Sequence, residues 1–216
     1  FLAGGSLSFI SSDSVIFDPA AAGSTDVEYT FTDGNGCIDT AMSTLTVNPL
    51  PVLSVIGLLA DYCIDSDQDT LTGNLAPVGL FFGDDIADQA DGTGHFLPTS
   101  SGTKSIYYTA TDLNFCTDTV EYSTDVHDLP IVTFIGLDTL YDVSDGTVIL
   151  IGSPFGGIYT GNGMTGDVFD PAIAGVGNHE IVYTYLDLFG CENTDTAYTE
   201  VRNFDFKVGA RIIPDI

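Results

Sequence analysis

Apolar and polar positions alternate along Val27-Glu28-Tyr29-Thr30-Phe31-Thr32-Asp33. A period of two predicts a strand with Val27, Tyr29 and Phe31 on one buried face. Thr147-Val148-Ile149-Leu150-Ile151 and Ile181-Val182-Tyr183-Thr184-Tyr185 are rich in the β-branched and aromatic residues that strands favour. Asp33-Gly34-Asn35-Gly36 is a tight-turn signal, and the strand after it is predicted from Cys37 to Val47. No stretch combines a helical period with caps. Short strands separated by turn clusters predict an all-β chain of the sandwich type.

The pattern recurs. Leu50-Pro51-Val52-Leu53-Ser54-Val55-Ile56-Gly57-Leu58 returns as Leu129-Pro130-Ile131-Val132-Thr133-Phe134-Ile135-Gly136-Leu137. Phe17-Asp18-Pro19-Ala20 returns as Phe169-Asp170-Pro171-Ala172. Val27-x-Tyr29 is matched by Ile106-x-Tyr108 and Ile181-x-Tyr183, and each motif runs on to an aspartate followed four residues later by Cys37, Cys116 or Cys191. Matches in one order define a repeat of about 75–80 residues. Two repeats read as complete, 51–129 and 130–203. Gly4-Gly5 aligns with Gly156-Gly157, each pair standing the same distance before its Phe-Asp-Pro. Residues 1–50 therefore read as the C-terminal part of a repeat without its first strands, and residues 204–216 as a tail.

Composition narrows the function. Of 216 residues 44% are hydrophobic, enough for packed cores, and tryptophan is absent. Four basic residues face 31 acidic ones, for a formal net charge of -27. That field repels nucleic acid and anionic membranes, and no apolar run approaches the roughly 20 residues of a membrane helix. The opening Phe1-Leu2-Ala3-Gly4-Gly5 does not read as a signal peptide: either one has been removed or the sequence is a window of a longer chain. None of the four cysteines lies in a C-x-x-C pair. In the middle repeat Cys63 opens an early strand and Cys116 the last one, which predicts a disulfide between them. Asp142 stands where Cys63 stands, in Tyr141-Asp142 against Tyr62-Cys63, so Cys191 is expected as a free thiol.

Phe-Asp-Pro-Ala-x-Ala-Gly, Tyr-Thr-Phe-Thr-Asp-Gly-Asn-Gly-Cys-x-Asp-Thr-Ala and the Asn-Pro-Leu-Pro of residues 48–51 resemble the Ig-like repeats of very large secreted surface proteins of Bacteroidetes, of the gliding and adhesin type. The resemblance covers residues 1 to about 203. It implies tandem immunoglobulin-like β-sandwich repeats, exported and displayed on the cell surface, with no active site. A shorter resemblance is to the Asp-Ser/Thr-aliphatic sites at which such proteins are O-glycosylated. It fits Ser14, Thr40, Thr70, Thr119, Thr139 and Thr196, three of which recur shortly after the repeat cysteine.

Other chemistry is thin. His95, His127 and His179 fall at unrelated repeat positions and are expected at the surface or on edge strands. Asp84-Asp85 sits in an insertion of one repeat rather than in a shared cleft, and no nucleophile motif appears, so the chain is read as a non-enzyme. Asp61, Asp65, Asp67 and Asp69 crowd one loop. Asp65-x-Asp67-x-Asp69 copies the opening of a calcium loop, but Thr70 replaces its turn glycine and Ala76 its bidentate glutamate. Calcium there competes with a plain solvated acidic loop, and no other cofactor is expected.

The tail holds Lys207 and Arg211 which, with Arg202, make three of the four basic residues. Phe204, Phe206 and Val208 alternate with polar positions as in a strand. Two readings stay open. The tail adds as a strand to the incomplete first repeat of the next subunit, or it begins a further repeat of a longer protein. The expected function is structural and adhesive, in a surface protein or filament whose partners are its own copies, neighbouring repeats or surface glycans. The alternatives are a calcium- or carbohydrate-binding module and a spacer of a larger secreted protein.

Overall fold

The computed structural model describes residues 5–11, 14–19 and 21–204. The first strands are β1 (Gly5–Ser11), β2 (Ser14–Pro19), β3 (Gly23–Thr32) and β4 (Ile38–Val47). There follow β5 (Val55–Ile56), β6 (Asp61–Cys63), β7 (Asp69–Gly73), β8 (Leu80–Gly83), β9 (Ile86–Asp88), β10 (Thr93–Phe96), β11 (Gly102–Thr111) and β12 (Thr117–His127). The last group is β13 (Thr133–Ile135), β14 (Leu140–Asp142), β15 (Val148–Ile149), β16 (Ile151–Ser153), β17 (Ile158–Thr160), β18 (Met164–Thr165), β19 (Val168–Phe169), the short helix α1 (Pro171–Ala174), β20 (Gly177–Leu186) and β21 (Glu192–Arg202).

The second and third groups share one topology. One sheet runs β6-β12-β11-β8 and its counterpart β14-β21-β20-β17. In each, the early strand pairs in parallel with the end of the last: Asp61 to Cys63 with Asp125 to His127, and Leu140 to Asp142 with Glu200 to Arg202. The facing strands are β5-β7-β10-β9 in the second group, and β13-β16 with β15-β19-β18 in the third. This is the all-β sandwich that the alternation predicts, of the immunoglobulin-like class that the resemblance implies. The alternation is literal in β11, where Ile106, Tyr108 and Ala110 are buried between half-buried neighbours.

The chain divides into two compact units. The first comprises residues 1–58, 68–97 and 104–123, and the second residues 59–67, 98–103 and 124–216. The first packs Leu71, Phe81, Phe96, Ile106 and Tyr108, all at most 3% exposed. The second has a core of Tyr141, Leu150, Phe169, Ile181 and Val201.

Helix α1 departs from the sequence reading, which has no helix. Its signal lies in the recurrent Phe-Asp-Pro-Ala. Asp170 caps it by accepting from the Ala172 and Ile173 N–H groups, and Pro171 fills the first position, where no N–H is needed. The same residues at 17–19 lie in β2 instead. Among the described residues β1 pairs with β2 alone and β3 with β4 alone.

Candidate functional site

The recurrent Asp-x-x-x-Cys builds the same turn three times. The carboxylate of Asp33 accepts from the N–H groups of Asn35 (2.8 Å) and Cys37 (2.8 Å). Asp112 does the same for Asn114 and Cys116, and Asp187 for Phe189 and Cys191. These backbone donors, that of Cys37 foremost, hold the Asp33 carboxyl below its ordinary range. The turns close the hairpins β3–β4, β11–β12 and β20–β21.

The cysteines beyond these turns do not pair as expected. Cys63 is joined to Cys191, with Cα atoms 5.5 Å apart, while Cys37 and Cys116 are free. Strand register explains the correction. Cys63 lies opposite His127, the last residue of β12, whereas Cys116 precedes its first. A strand of 11 residues separates the two ends, on the order of 33 Å at ~3.3 Å per residue and far beyond disulfide reach. Around the bridge, within the second unit, the His127 ring stacks on Phe189 at 3.6 Å and meets the Asp61 carboxylate at 2.8 Å. The Cys63–Cys191 bridge fits an oxidising compartment.

The other predicted residues are scattered. Asp61 is engaged by His127, and among the described residues no three His, Cys, Asp or Glu groups gather as a metal set, so Asp65, Asp67 and Asp69 form no visible calcium cage with it. Ser14, Thr40, Thr70, Thr119, Thr139 and Thr196 are all exposed. His179 is buried rather than on the surface, with Nε2 2.7 Å from the Gly175 carbonyl. The Phe204 N–H donates to the Asp142 carboxylate (2.6 Å), while Phe206 and Val208 lie outside the described residues.

Two surfaces stand out. The first is the inward face of β3–β4. Val27, Tyr29 and Phe31 lie opposite Ser43, Ala41 and Asp39. Tyr29 is 49% exposed, whereas its counterparts Tyr108 and Tyr183 are at 0% and 2%. What buries those two is a glycine pair. The Tyr108 ring sits between Gly73 and Gly79, and the Tyr183 ring between Gly152 and Gly157, so closely that a Cβ on any of the four would overlap the ring. The Tyr108 hydroxyl accepts from the Leu75 N–H (3.1 Å). The Tyr183 hydroxyl accepts from the Gly157 N–H (2.8 Å) and donates to the Pro154 carbonyl. Sequence reasoning finds the tyrosines but misses the glycines, which lie far from them in the chain.

The second surface is a groove of about 500 Å³ in the second unit, lined by Ile149, Ile151, Phe155, Ile158, Tyr159 and Asp167 among others. The Tyr159 hydroxyl is buried there without a hydrogen-bond partner. Burial, with Tyr183 and Asp167 nearby, pushes it up to about 12.

No family model and no curated protein matches this chain. Solved structures with a similar arrangement include the fibronectin(III)-like modules of Clostridium thermocellum CbhA, at 15% identity over 70% of this chain and 95% of that one, with a TM-score of 0.36. Murine CEACAM1b matches at 12% identity over 70% of this chain and all of that one (100%), with a TM-score of 0.32. The Bacteroides ovatus mixed-linkage glucan utilization locus protein SGBP-B, solved in complex with a mixed-linkage heptasaccharide, matches at 16% over 89% of this chain and 57% of that one, with a TM-score of 0.23. At such identities the likeness is to the fold alone.

Proposed function

We propose that this chain is a structural and adhesive segment of an extracellular bacterial surface protein or filament, without catalytic activity, built from Ig-like repeats over residues 51–129 and 130–203 and the partial repeat 1–50. The observation that supports the reading is the recurrence of one sheet order, β6-β12-β11-β8 and β14-β21-β20-β17, in two successive strand groups of the chain. Self-association through strand addition is the mode of partnership put forward. The sequence puts forward residues 204–216 as donor, giving head-to-tail assembly. Negative-stain microscopy of the full chain and of a chain lacking 204–216 tests it. Beaded filaments that vanish with the deletion support tail donation, and single rods in both samples rule it out.

The exposure of all six Asp-Ser/Thr hydroxyls supports O-glycosylation of the native protein. An intact mass equal to that of the sequence would dispose of it. A second reading, carbohydrate binding, draws on the groove around Phe155 and Tyr159, where an exposed ring lies beside an unpartnered hydroxyl and a carboxylate. A glycan array on which Phe155→Ala abolishes every signal favours it, and an array with no signal removes it. Calcium at Asp61, Asp65, Asp67 and Asp69 is a weaker form of the binding-module reading, and titration calorimetry without heat on adding calcium ends it.

A further inference from the structure

The second and third strand groups part company at one position beside the groove. Phe81 lies opposite Tyr108 and Tyr159 opposite Tyr183, so the N–H groups of Phe81 and Tyr159 share a direction. In the second group the Asp88 carboxylate accepts from the Phe81 N–H (2.8 Å). Ile86 lies opposite Phe96 and Met164 opposite Phe169, which makes residue 166, two places on, the counterpart of Asp88. That residue is Gly166, and it lines the groove. A Cβ added to it would meet no atom within 4 Å. The space that a carboxylate side chain fills in one repeat is therefore open in the other, and Gly166 offers the Tyr159 N–H no acceptor.

The walls of that space select its occupant. Ile149 and Ile151 present exposed apolar side chains, and the Phe155 ring is 96% exposed. The charged residue of the lining is Asp167, in a chain of net charge -27, so an anion is repelled from the place where an acceptor oxygen is wanted. The oxygen must come on a neutral group. A hydroxyl oxygen would serve the N–H but leave the isoleucines bare. An acetamido carbonyl repeats the planar oxygen of Asp88 without its charge, and its methyl covers apolar surface. We infer that the groove takes an N-acetylated amino sugar, with the acetamido carbonyl accepting from the Tyr159 N–H, the methyl against Ile149 and Ile151, and the sugar ring on Phe155. The Asp167 carboxylate then accepts from a sugar hydroxyl. The inference rests on the carbohydrate reading above and names the class of sugar.

The test is titration calorimetry of the full chain with three soluble trisaccharides: tri-N-acetylchitotriose, cellotriose and trigalacturonate. The acetylated trisaccharide is expected to bind, cellotriose at least tenfold more weakly, and the anionic trigalacturonate without heat. Gly166→Asp copies the sister repeat at a φ of 62°, a conformation that aspartate tolerates. It should weaken the acetylated trisaccharide at least tenfold, while Gly166→Ala, with the same backbone and no carboxylate, keeps the binding. Cellotriose binding as tightly as the acetylated sugar, trigalacturonate binding most tightly of the three, or equal affinity in the two Gly166 variants overturns the acetamido site while leaving the groove a sugar site. No binding by any of the three overturns the carbohydrate reading as well.

Discussion

The strands of residues 55–127 and those of residues 133–202 share an order, a parallel early-to-last strand pair and a tyrosine held between glycines, yet they differ in how they dress that frame. Phe81 and Tyr159 occupy one position: each stacks obliquely on the frame tyrosine, at 4.8 Å from Tyr108 and 4.5 Å from Tyr183. Only the second carries a hydroxyl, and it is buried without a partner. Thr70 and Thr72 on the outer side of β7 become Ile149 and Ile151, both exposed, which makes the wall of the groove apolar. Cys63 becomes Asp142, whose carboxylate accepts from Ser144 and from the Phe204 N–H instead of entering a disulfide. The frame is thus fixed by a few inward positions, while outward and edge positions are free to specialise.

The largest test of that comparison is the bridge. Closing a loop across a sequence separation of 128 contributes about 5 kcal/mol by the chain-entropy relation. Cys63→Ser should therefore lower the denaturation midpoint strongly, while Cys116→Ser leaves it unchanged. The reverse ranking would restore the Cys63–Cys116 pairing.

Next come the glycine seats. Gly73→Ala and Gly152→Ala each force a methyl into a tyrosine ring. Urea titration should show losses of about 2–3 kcal/mol in both, and a harmless substitution in one repeat would show that the frame is not shared.

Tyr159→Phe, which copies Phe81, removes the orphaned hydroxyl and should stabilise by about 1–2 kcal/mol. It also carries a pH signature. The Tyr159 hydroxyl is raised from 10.0 to about 12 in the folded protein. The stability linked to it is full below pH 10 and is lost as the pH climbs toward 12. The variant should lose less over that window, and parallel alkaline profiles would deny the hydroxyl its buried setting.

The smallest effect is expected at the hairpin turns. Phe115 has φ 66°, the left-handed conformation that Gly36 (83°) and Gly190 (86°) supply without strain in the sister turns. Its side chain is exposed, so Phe115→Gly should gain about 0.5–1 kcal/mol in thermal unfolding.

Much of this frame is legible in the sequence because it is local. The alternation around Tyr29, Tyr108 and Tyr183 and the Asp-x-x-x-Cys turns depend on neighbours within a few residues. The partner of Cys63 is not local. A repeat alignment shows that two cysteines belong to strands of one sheet, but not that β6 pairs with the far end of β12. The glycine seats are hidden for a related reason. Gly73 and Tyr108 meet only through the packing of two sheets, and an isolated glycine in a strand reads as a bulge or a turn. The groove is not legible because Ile149 and Ile151 look like core residues in any strand-rich pattern. Helix α1 is equally hard to read: Asp170-Pro171 is a helix start, yet the same residue types at 18–19 lie in strand β2.

The Cys63–Cys191 bridge has a mechanical meaning. A pull applied at the two ends of the chain passes from Cys63 to Cys191 through the sulfur–sulfur bond, so the segment between them carries no tension along its backbone. The separation of 128 residues corresponds to roughly 440 Å of extended chain at ~3.3–3.6 Å per residue. That length stays unavailable to stretching for as long as the bridge is oxidised. A chain of this design resists lengthening under tension even if its sandwiches open, and reduction converts it from a short span into a long one.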